Sequence, residues 1–403
     1  MSLKILWTSP YLMWPTAAGN KLRQFNLLRG LAEQGHRITL LIQSKSPLDA
    51  ATRAKLEPMV ERLIVYERRP RKHPLTLAAA LLAPYPVVVS VNGLSRALSN
   101  AMAELLKESW DAVHVEHSYG LQPLLSVLNA ARQPFALSEH NVESSLAAIT
   151  NYHPRIPAPV VTQLRRYDGW RYRNWEKRAL AAAARVIAVT APDSRRLTEI
   201  SGRPVDVVEN GVDTAALAEV RPDFASRRLM FIGNYDYPPN AAAVELTIER
   251  ILPPLWRRCP CARFAVCGPA LPAAWRQRWT DSRIEWRGFV PDPTVEQRRS
   301  AVLLAPLTTG GGSKLKVLES MGAGLGVVCT PEAVSGLRVQ DGLEYREGRT
   351  PQELAAHIAD LFEHEDKIRE LGARARLYAQ RHHDWRPLVQ KMADIFQELP
   401  RRA

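Results

Sequence analysis

Residues 306–328 read Pro306-Leu-Thr-Thr-Gly310-Gly311-Gly312-Ser313-Lys314-Leu315-Lys316-Val-Leu-Glu319-Ser-Met-Gly-Ala-Gly-Leu-Gly326-Val-Val. The apolar run 301–307 leading into the glycines predicts a buried strand. A stretch of helical spacing follows, then a second apolar run at 327–329. Strand, glycine turn, helix and strand form a compressed βαβ unit. Such a turn sits at the carboxyl end of its strand, where α/β sheets bind ligands. Glycines let the backbone approach a ligand closely, and the helix start offers unpaired N–H groups with a partial positive charge. A phosphate suits these features. Glu319, about two turns into the helix, is placed for a neighbouring hydroxyl pair instead. Lys316, three residues earlier, shares its face. A plain turn with no ligand is the competing reading, although three successive glycines are entropically costly for one. The order Gly-Ser-Lys and the missing upstream glycine exclude a Walker loop.

Around this unit, the chain of 403 residues is long for one domain. An apolar share of 46% and a charged share of 24% belong to an ordinary soluble globular protein. Cys259, Cys261, Cys267 and Cys329 make neither a disulfide framework nor zinc spacing, and no signal peptide is read in the first residues. The expected compartment is therefore reducing and cytoplasmic. A net charge of +13 favours an anionic partner, whether nucleic acid, anionic lipid or a phosphorylated substrate. The charge concentrates in Arg68-Arg69-Pro-Arg71-Lys72-His73 and between Arg155 and Arg178. In the latter, Tyr152, Tyr167, Trp170, Tyr172 and Trp175 are interleaved. A solvated helix face is the alternative for either. The most apolar window, 75–91, is split by Pro84 and Pro86, whereas a membrane-crossing helix needs roughly 20 apolar residues. It predicts a core-facing helix leading into an extended piece, with a membrane-surface helix as the alternative.

In chain order, strands are predicted at 4–8, 36–43, 63–66, 112–116, 135–138, 186–190 and 205–209, with helices between them, including 21–34 and 121–131. The charged connector 221–228 marks the expected domain boundary. Strands then restart at 229–233, 263–267 and 283–287 before the glycine unit, with a helix at 241–255 and a last amphipathic helix at 385–399. This is an α/β chain in two similar halves.

These residues resemble the family-4 (group 1) retaining glycosyltransferases of the GT-B fold, over nearly the whole length. The landmarks are Gly19-Asn20; Arg29-Gly-Leu-Ala-Glu-Gln-Gly35-His36; Glu139-His140-Asn141-Val-Glu143; Asn210-Gly-Val-Asp213; Gly288-Phe-Val290; and Gly311-Gly-Ser-Lys-Leu-Lys-Val-Leu-Glu319 with Met321-Gly-Ala-Gly. The family's Glu, seven residues, Glu signature is kept only at Glu319. Gly311 stands at the first position, as in a triple-glycine branch of the family. The resemblance implies two Rossmann-like domains facing across a cleft, an acceptor-binding one at 1–215 and a nucleotide-sugar-binding one at 216–384. A helix at 385–403 would cross back to the first.

It further implies that Glu319 contacts the ribose hydroxyls, that Val290 lies beside the base, and that Gly312, Ser313 and Lys314 hold the diphosphate. Gly233, Asp236, Gly311 and Leu315 complete the donor set. His140 would stand near the reacting sugar, with capping of the next helix as its alternative, and Gly19, Asn20 and Arg23 would line the acceptor side. A basic side chain, Lys316, would replace a metal ion, in keeping with the lack of an Asp-x-Asp pair or of a His/carboxylate cluster with metal spacing. No metal and no cofactor are expected. The implied partners are a nucleotide sugar and a lipid-linked or glycan acceptor of surface or exported polysaccharide synthesis. Peripheral contact with an anionic membrane, at its inner face, is expected from the residues themselves, through the Arg68–His73 cluster, the neighbouring apolar window and the Arg155–Arg178 stretch. The competing functions are a nucleotide-sugar epimerase of the same fold and a basic nucleic-acid binder, the latter without any recognition motif. No Gly-x-Gly-x-x-Gly follows the first strand, which argues against a dinucleotide oxidoreductase.

Overall fold

Strands that are apolar without alternation form where both faces of a sheet are covered. The computed structural model describes residues 2–16, 18–70, 73–93, 95–146, 158–309 and 314–402, and in it such strands build two all-parallel sheets. The first has β1 Lys4–Ser9, β2 Arg37–Ser44, β3 Arg62–Glu67, β4 Ala112–Glu116, β5 Ala136–Glu139, β6 Arg185–Ala188 and β7 Asp206–Val207, in the order β3-β2-β1-β4-β5-β6-β7. The second has β8 Arg228–Ile232, β9 Arg263–Cys267, β10 Ile284–Gly288, β11 Val302–Ala305, β12 Gly326–Cys329 and β13 Arg346–Glu347, in the order β10-β9-β8-β11-β12-β13.

Both orders reverse direction at one place, between β1 and β4 and between β8 and β11. Connections leave to opposite sides there and open a crevice at the strands' carboxyl ends. The chain divides into two compact units. One is Met1–Thr16, Asn20–Val208 and Val389–Ala403; the other is Ala17–Gly19 and Glu209–Leu388. The charged connector Arg221–Arg228 therefore lies inside the second unit.

The last helix, Trp385–Gln397, begins in the second unit and ends in the first. Its expected stripe of Leu388, Met392, Ile395, Phe396 and Leu399 is buried throughout. Phe396 meets Trp7 of β1 edge-on, with ring centroids 6.3 Å apart. Val389 seats on Gly30, where an added Cβ would come within 2.5 Å of Cγ2.

Three expectations are corrected. Window 75–91 forms two short helices, Pro74–Leu82 and Val87–Gly93, rather than a helix and an extended piece. The first of them is not core-facing, since Leu75, Leu81 and Leu82 are exposed. The helix expected at 241–255 runs from Pro238 to Arg258 and widens into a π-turn at Thr247–Ile251. The basic aromatic stretch is a single helix, Ala158–Ala182; Arg71, Lys72, Tyr152 and Arg155 lie outside the described residues.

Candidate active site

The expected site residues fall into two groups, one at each reversal point. In the second unit β8 leads into Gly233, which has no side chain for a physical reason. A Cβ there would come within 2.7 Å of Asn240 Nδ2 and 3.0 Å of Lys316 Nζ. Gly268, after β9, is constrained harder still. It has φ +127°, and a Cβ on it would meet the Gly233 carbonyl oxygen at 1.9 Å. The two glycines let the loops after β8 and β9 close together, which leaves room for two polar heads.

Those heads are Asn240 and Lys316. Asn240, in the helix Pro238–Leu246, donates from Nδ2 to the Asn234 carbonyl at 2.8 Å and accepts from Lys316 Nζ on Oδ1 at 2.6 Å. The ammonium also lies 4.2 Å over the Phe231 ring. Lys316 sits on the helix Leu315–Gly322, and its face carries Glu319, as the spacing predicts. Burial, with Lys314 as a second cause, pulls the Lys316 ammonium down to about 7. Burial likewise raises the Glu319 carboxyl to about 7, against the pull of Lys316. The pair is thus poised near neutrality, a condition that clusters at functional sites.

Lys314 does not point to solvent. Its side chain keeps 10% exposure, and Nζ pairs with Glu332 Oε1 at 3.3 Å. The helix has no side-chain cap at Lys314. Leu315 has its side chain buried, so only its backbone N–H can serve a ligand. Asp236 is exposed on the loop after β8, its N–H bonded to Asn234 Oδ1 at 3.0 Å. Val290 packs on the unit's core. Gly311, Gly312 and Ser313 lie outside the described residues.

The second group follows β1, β4 and β5 of the first unit. His140 Nε2 lies 2.9 Å from Glu116 Oε2, and His114 Nε2 lies 3.1 Å from Glu116 Oε1. Burial alone would raise the Glu116 carboxyl, but the two imidazoles hold it well below the usual carboxylate range. An ionised carboxylate only accepts, so both imidazoles carry their proton on Nε2. His140 is kept neutral by burial, against the effect of Glu116. Its Nε2 thus serves Glu116 at the end of β4 rather than the helix that follows.

His117, just past β4, takes φ +62°, backbone strain of the kind that collects at functional sites. It packs 4.2 Å from the His140 ring, and its Nε2 is 2.8 Å from the Tyr11 hydroxyl, which accepts from Gln24 Nε2 at 2.6 Å. Burial drops the His117 imidazole well below its usual value. Arg23, 1% exposed in the helix Gly19–Glu33, opposes protonation of both His117 and His140. The Asn20 side chain works against the burial that raises the Tyr11 hydroxyl. Gly19, Asn20 and Arg23 thus share one helix, and the last two reach the histidine group.

Beneath lie Glu139, Glu143 and Glu176. Burial, then Glu143, pushes Glu139 well up; burial, then Glu176, brings Glu143 to about 8; and burial raises Glu176. Glu139 Oε1 accepts from the Ser118 N–H at 2.8 Å, while Glu139 Oε2 and His117 Nδ1 have no hydrogen-bond partner among the described residues, His117 Nδ1 lying 3.9 Å from Glu143 Oε1.

The expectation that no His/carboxylate cluster has metal geometry is corrected. Ligand atoms of Glu116, His117 and His140, and of His117, Glu139 and Glu143, lie within 4.8 Å of one another. Linear spacing could not show this, because the residues come from different strands. Sequence reasoning also missed Asn240 and Glu116. His114-Val-Glu116-His117 at a predicted strand end was the available signal for the latter, and Asn240 had none.

A glycosyltransferase family 4 model matches residues 24–216, and a model of group 1 glycosyl transferases matches residues 226–364. Among solved structures, HepE of Anabaena in complex with UDP and glucose is 17% identical, with a TM-score of 0.68 over 98% of this chain and 100% of that one. Sucrose-phosphate synthase of Thermosynechococcus elongatus is 14% identical, with a TM-score of 0.68 over 98% of each chain. A glycosyltransferase from Rickettsia africae is also 14% identical, at 0.66 over 98% of each. At these identities the likeness speaks for the fold. No curated protein sequence matches the chain.

Proposed function

The chain belongs to the family-4, group 1 glycosyltransferases and has their two-sheet GT-B fold, and from that premise we propose that it transfers a sugar from a nucleoside diphosphate sugar to an acceptor. The observation that carries the donor class is Lys316. It is a half-buried ammonium brought down to about 7, bonded to Asn240 at the β8–β11 reversal and sharing a face with Glu319. A lysine whose ammonium is pulled down toward neutrality is restored to its charged form when an anion arrives. A diphosphate at the start of the Leu315–Gly322 helix is such an anion.

In this reading Lys316 neutralises charge that grows on the leaving diphosphate, as a metal ion does elsewhere, so transfer is metal-independent. Lys314 and the backbone of 311–315 hold the phosphates, Glu319 takes the ribose diol, and Val290 lies beside the base. Gly233 keeps the space open. Asp236, exposed on the same loop, is the weakest of the donor set. In the first unit His140, oriented by Glu116, acts at the reacting sugar with its Nδ1 lone pair, and Gly19, Asn20 and Arg23 take the acceptor. Uridine diphosphate is the first nucleotide to test, because the HepE complexes hold UDP, UDP with glucose, or UDP-glucose. Retention of anomeric configuration, a lipid-linked or glycan acceptor of surface polysaccharide synthesis, and a place at the inner face of the membrane complete the proposal.

The deciding experiment is a thermal-shift screen against nucleoside diphosphates and their sugars, followed by product analysis with and without acceptor. A ligand at 100 times its dissociation constant stabilises by about 2.7 kcal/mol. Glycoside formed only with acceptor supports transfer, a changed donor sugar without acceptor supports an epimerase, and no shift with any nucleotide removes the reading.

A further inference from the structure

Apolar helices normally turn their side chains inward, yet the helix Pro74–Leu82 leaves Leu75, Leu81 and Leu82 exposed at 58%, 70% and 83%. Polar bonds hold its carboxyl end in that posture. Arg171 Nη1 donates to the carbonyls of Ala80 at 2.9 Å and Ala83 at 3.2 Å, and Nη2 pairs with Asp168 Oδ1 at 2.7 Å. Asp168 Oδ1 in turn accepts from the Val87 N–H at 3.0 Å, so one ion pair clips the end of this helix and the start of the next. Arg171 and Asp168 are both buried, and a buried pair is expensive to desolvate. The fold spends that clip on keeping leucines outside.

The helix that supplies the clip, Ala158–Ala182, sorts its charges in the same sense. Its only acids, Asp168 and Glu176, are buried. Its solvent side shows Tyr167 and Trp170, stacked with centroids 6.1 Å apart. Arg166, Arg173 and Lys177 stand beside them at helical spacing. Leu81 and Leu82 lie between the two carbonyls that Arg171 holds, and Trp170 adjoins Arg171, so exposed leucines, exposed aromatics and exposed cations surround one junction and make up its solvent face.

We propose that this face docks on an anionic membrane surface, with Leu81, Leu82, Tyr167 and Trp170 entering the headgroup–acyl boundary and Arg166, Arg173 and Lys177 pairing with lipid phosphates. Aromatic rings and amphipathic helices favour that depth, and each surface cation adds attraction to anionic lipid. A nine-residue helix is too short to cross, and no helix among the described residues is long and apolar enough, so the contact is peripheral. A single-stranded nucleic acid would use the rings and the cations but leave the leucines without a counterpart. The proposal rests on the membrane place proposed above and assigns residues to it; because binding is measured without donor or acceptor, its failure is distinguishable from failure of the transfer reading.

The test is flotation of the full chain with vesicles of phosphatidylcholine alone and of equal parts phosphatidylcholine and phosphatidylglycerol. Binding is expected to the anionic vesicles only and to fade with added salt. A variant with Leu81→Glu and Leu82→Glu, both exposed and so expected to fold, should bind about tenfold more weakly at unchanged melting temperature. The Arg166→Glu and Arg173→Glu double variant should lose binding as well. No binding to anionic vesicles at low salt, equal binding to neutral ones, or full binding by the leucine variant would overturn the proposal. So would an oligonucleotide that binds through the same arginines while vesicles do not bind.

Discussion

Lys316 Nζ donates to Asn240 Oδ1 at 2.6 Å, and this bond joins the helix that follows β11 to the helix that follows β8. It spans the reversal point of the second sheet and holds one cation where a phosphate would arrive. Lys314, two residues away, is held by Glu332 instead. Lys316→Ala is therefore expected to lower turnover by roughly 2–4 kcal/mol in the barrier, the range for losing one preorganised charge at a reacting group. Lys314→Ala should cost much less in turnover. Steady-state kinetics of both variants check this, and equal, mild losses would sink the assignment.

Glu319→Gln should weaken donor affinity by about 1.5–3 kcal/mol, the loss of one charged hydrogen-bonding partner, with little change in fold stability. The same variant isolates the lysine. With the ammonium at about 7 when empty, part of it is neutral at pH 7.5, and a bound diphosphate raises it. Nucleotide binding to the variant should thus take up protons at pH 7.5. Calorimetry in two buffers of different ionisation enthalpy reads that uptake; none, or release, counts against Lys316 at the phosphate.

The buried carboxyls make stability depend on pH in a defined direction. Glu143 is raised to about 8, so the native state binds more protons than the unfolded one. Its stabilising contribution is fully present below the unfolded value, near pH 4.5, and is lost as pH rises through about 8. Each unit of raised pKa corresponds to about 1.4 kcal/mol. Lys316 acts in the opposite sense, so the useful quantity is a double difference. Between pH 5 and pH 8, Glu143→Gln should lose less melting temperature than the unsubstituted protein. Equal losses would show that Glu143 titrates normally.

Gly268→Ala places a Cβ 1.9 Å from the Gly233 carbonyl oxygen at a φ of +127°. Overpacking typically costs 1–3 kcal/mol, and the left-handed backbone adds to it. Because the loop that must shift carries Gly233, nucleotide affinity should fall together with the melting temperature. Retained stability and affinity would mean that the two loops do not meet as described.

Transfer should persist in excess chelator, because Lys316 does the work of a metal ion in the proposed chemistry. The Glu116–His117–His140 group gives this outcome discriminating value, since its ligand atoms are close enough to hold a cation. Activity abolished by chelator and restored by a divalent ion would replace the lysine mechanism with one that draws on this group.

Much was legible before any coordinates. Parallel α/β halves follow from apolar runs of strand length alternating with helical spacing, because that pattern is a local property of the chain. The shared face of Lys316 and Glu319 follows from helix geometry alone. The stripe from Leu388 to Leu399 was legible for the same reason, with Phe396 finding Trp7 of β1. Local pattern fails where partners are distant. Asn240 became the partner of Lys316 across 76 residues, and Glu116 the partner of His140 across 24, through the order of strands in the sheets. The exposed Leu81 and Leu82 were misjudged as core because an apolar helix does not say which side will be covered. That was decided by Arg171, whose guanidinium holds the Ala80 and Ala83 carbonyls from another helix. What the chain carries by itself is periodicity and the chemistry of its side chains. Which distant groups share a buried space, and hence which are desolvated enough to titrate near neutrality, is settled only when the strands take their order.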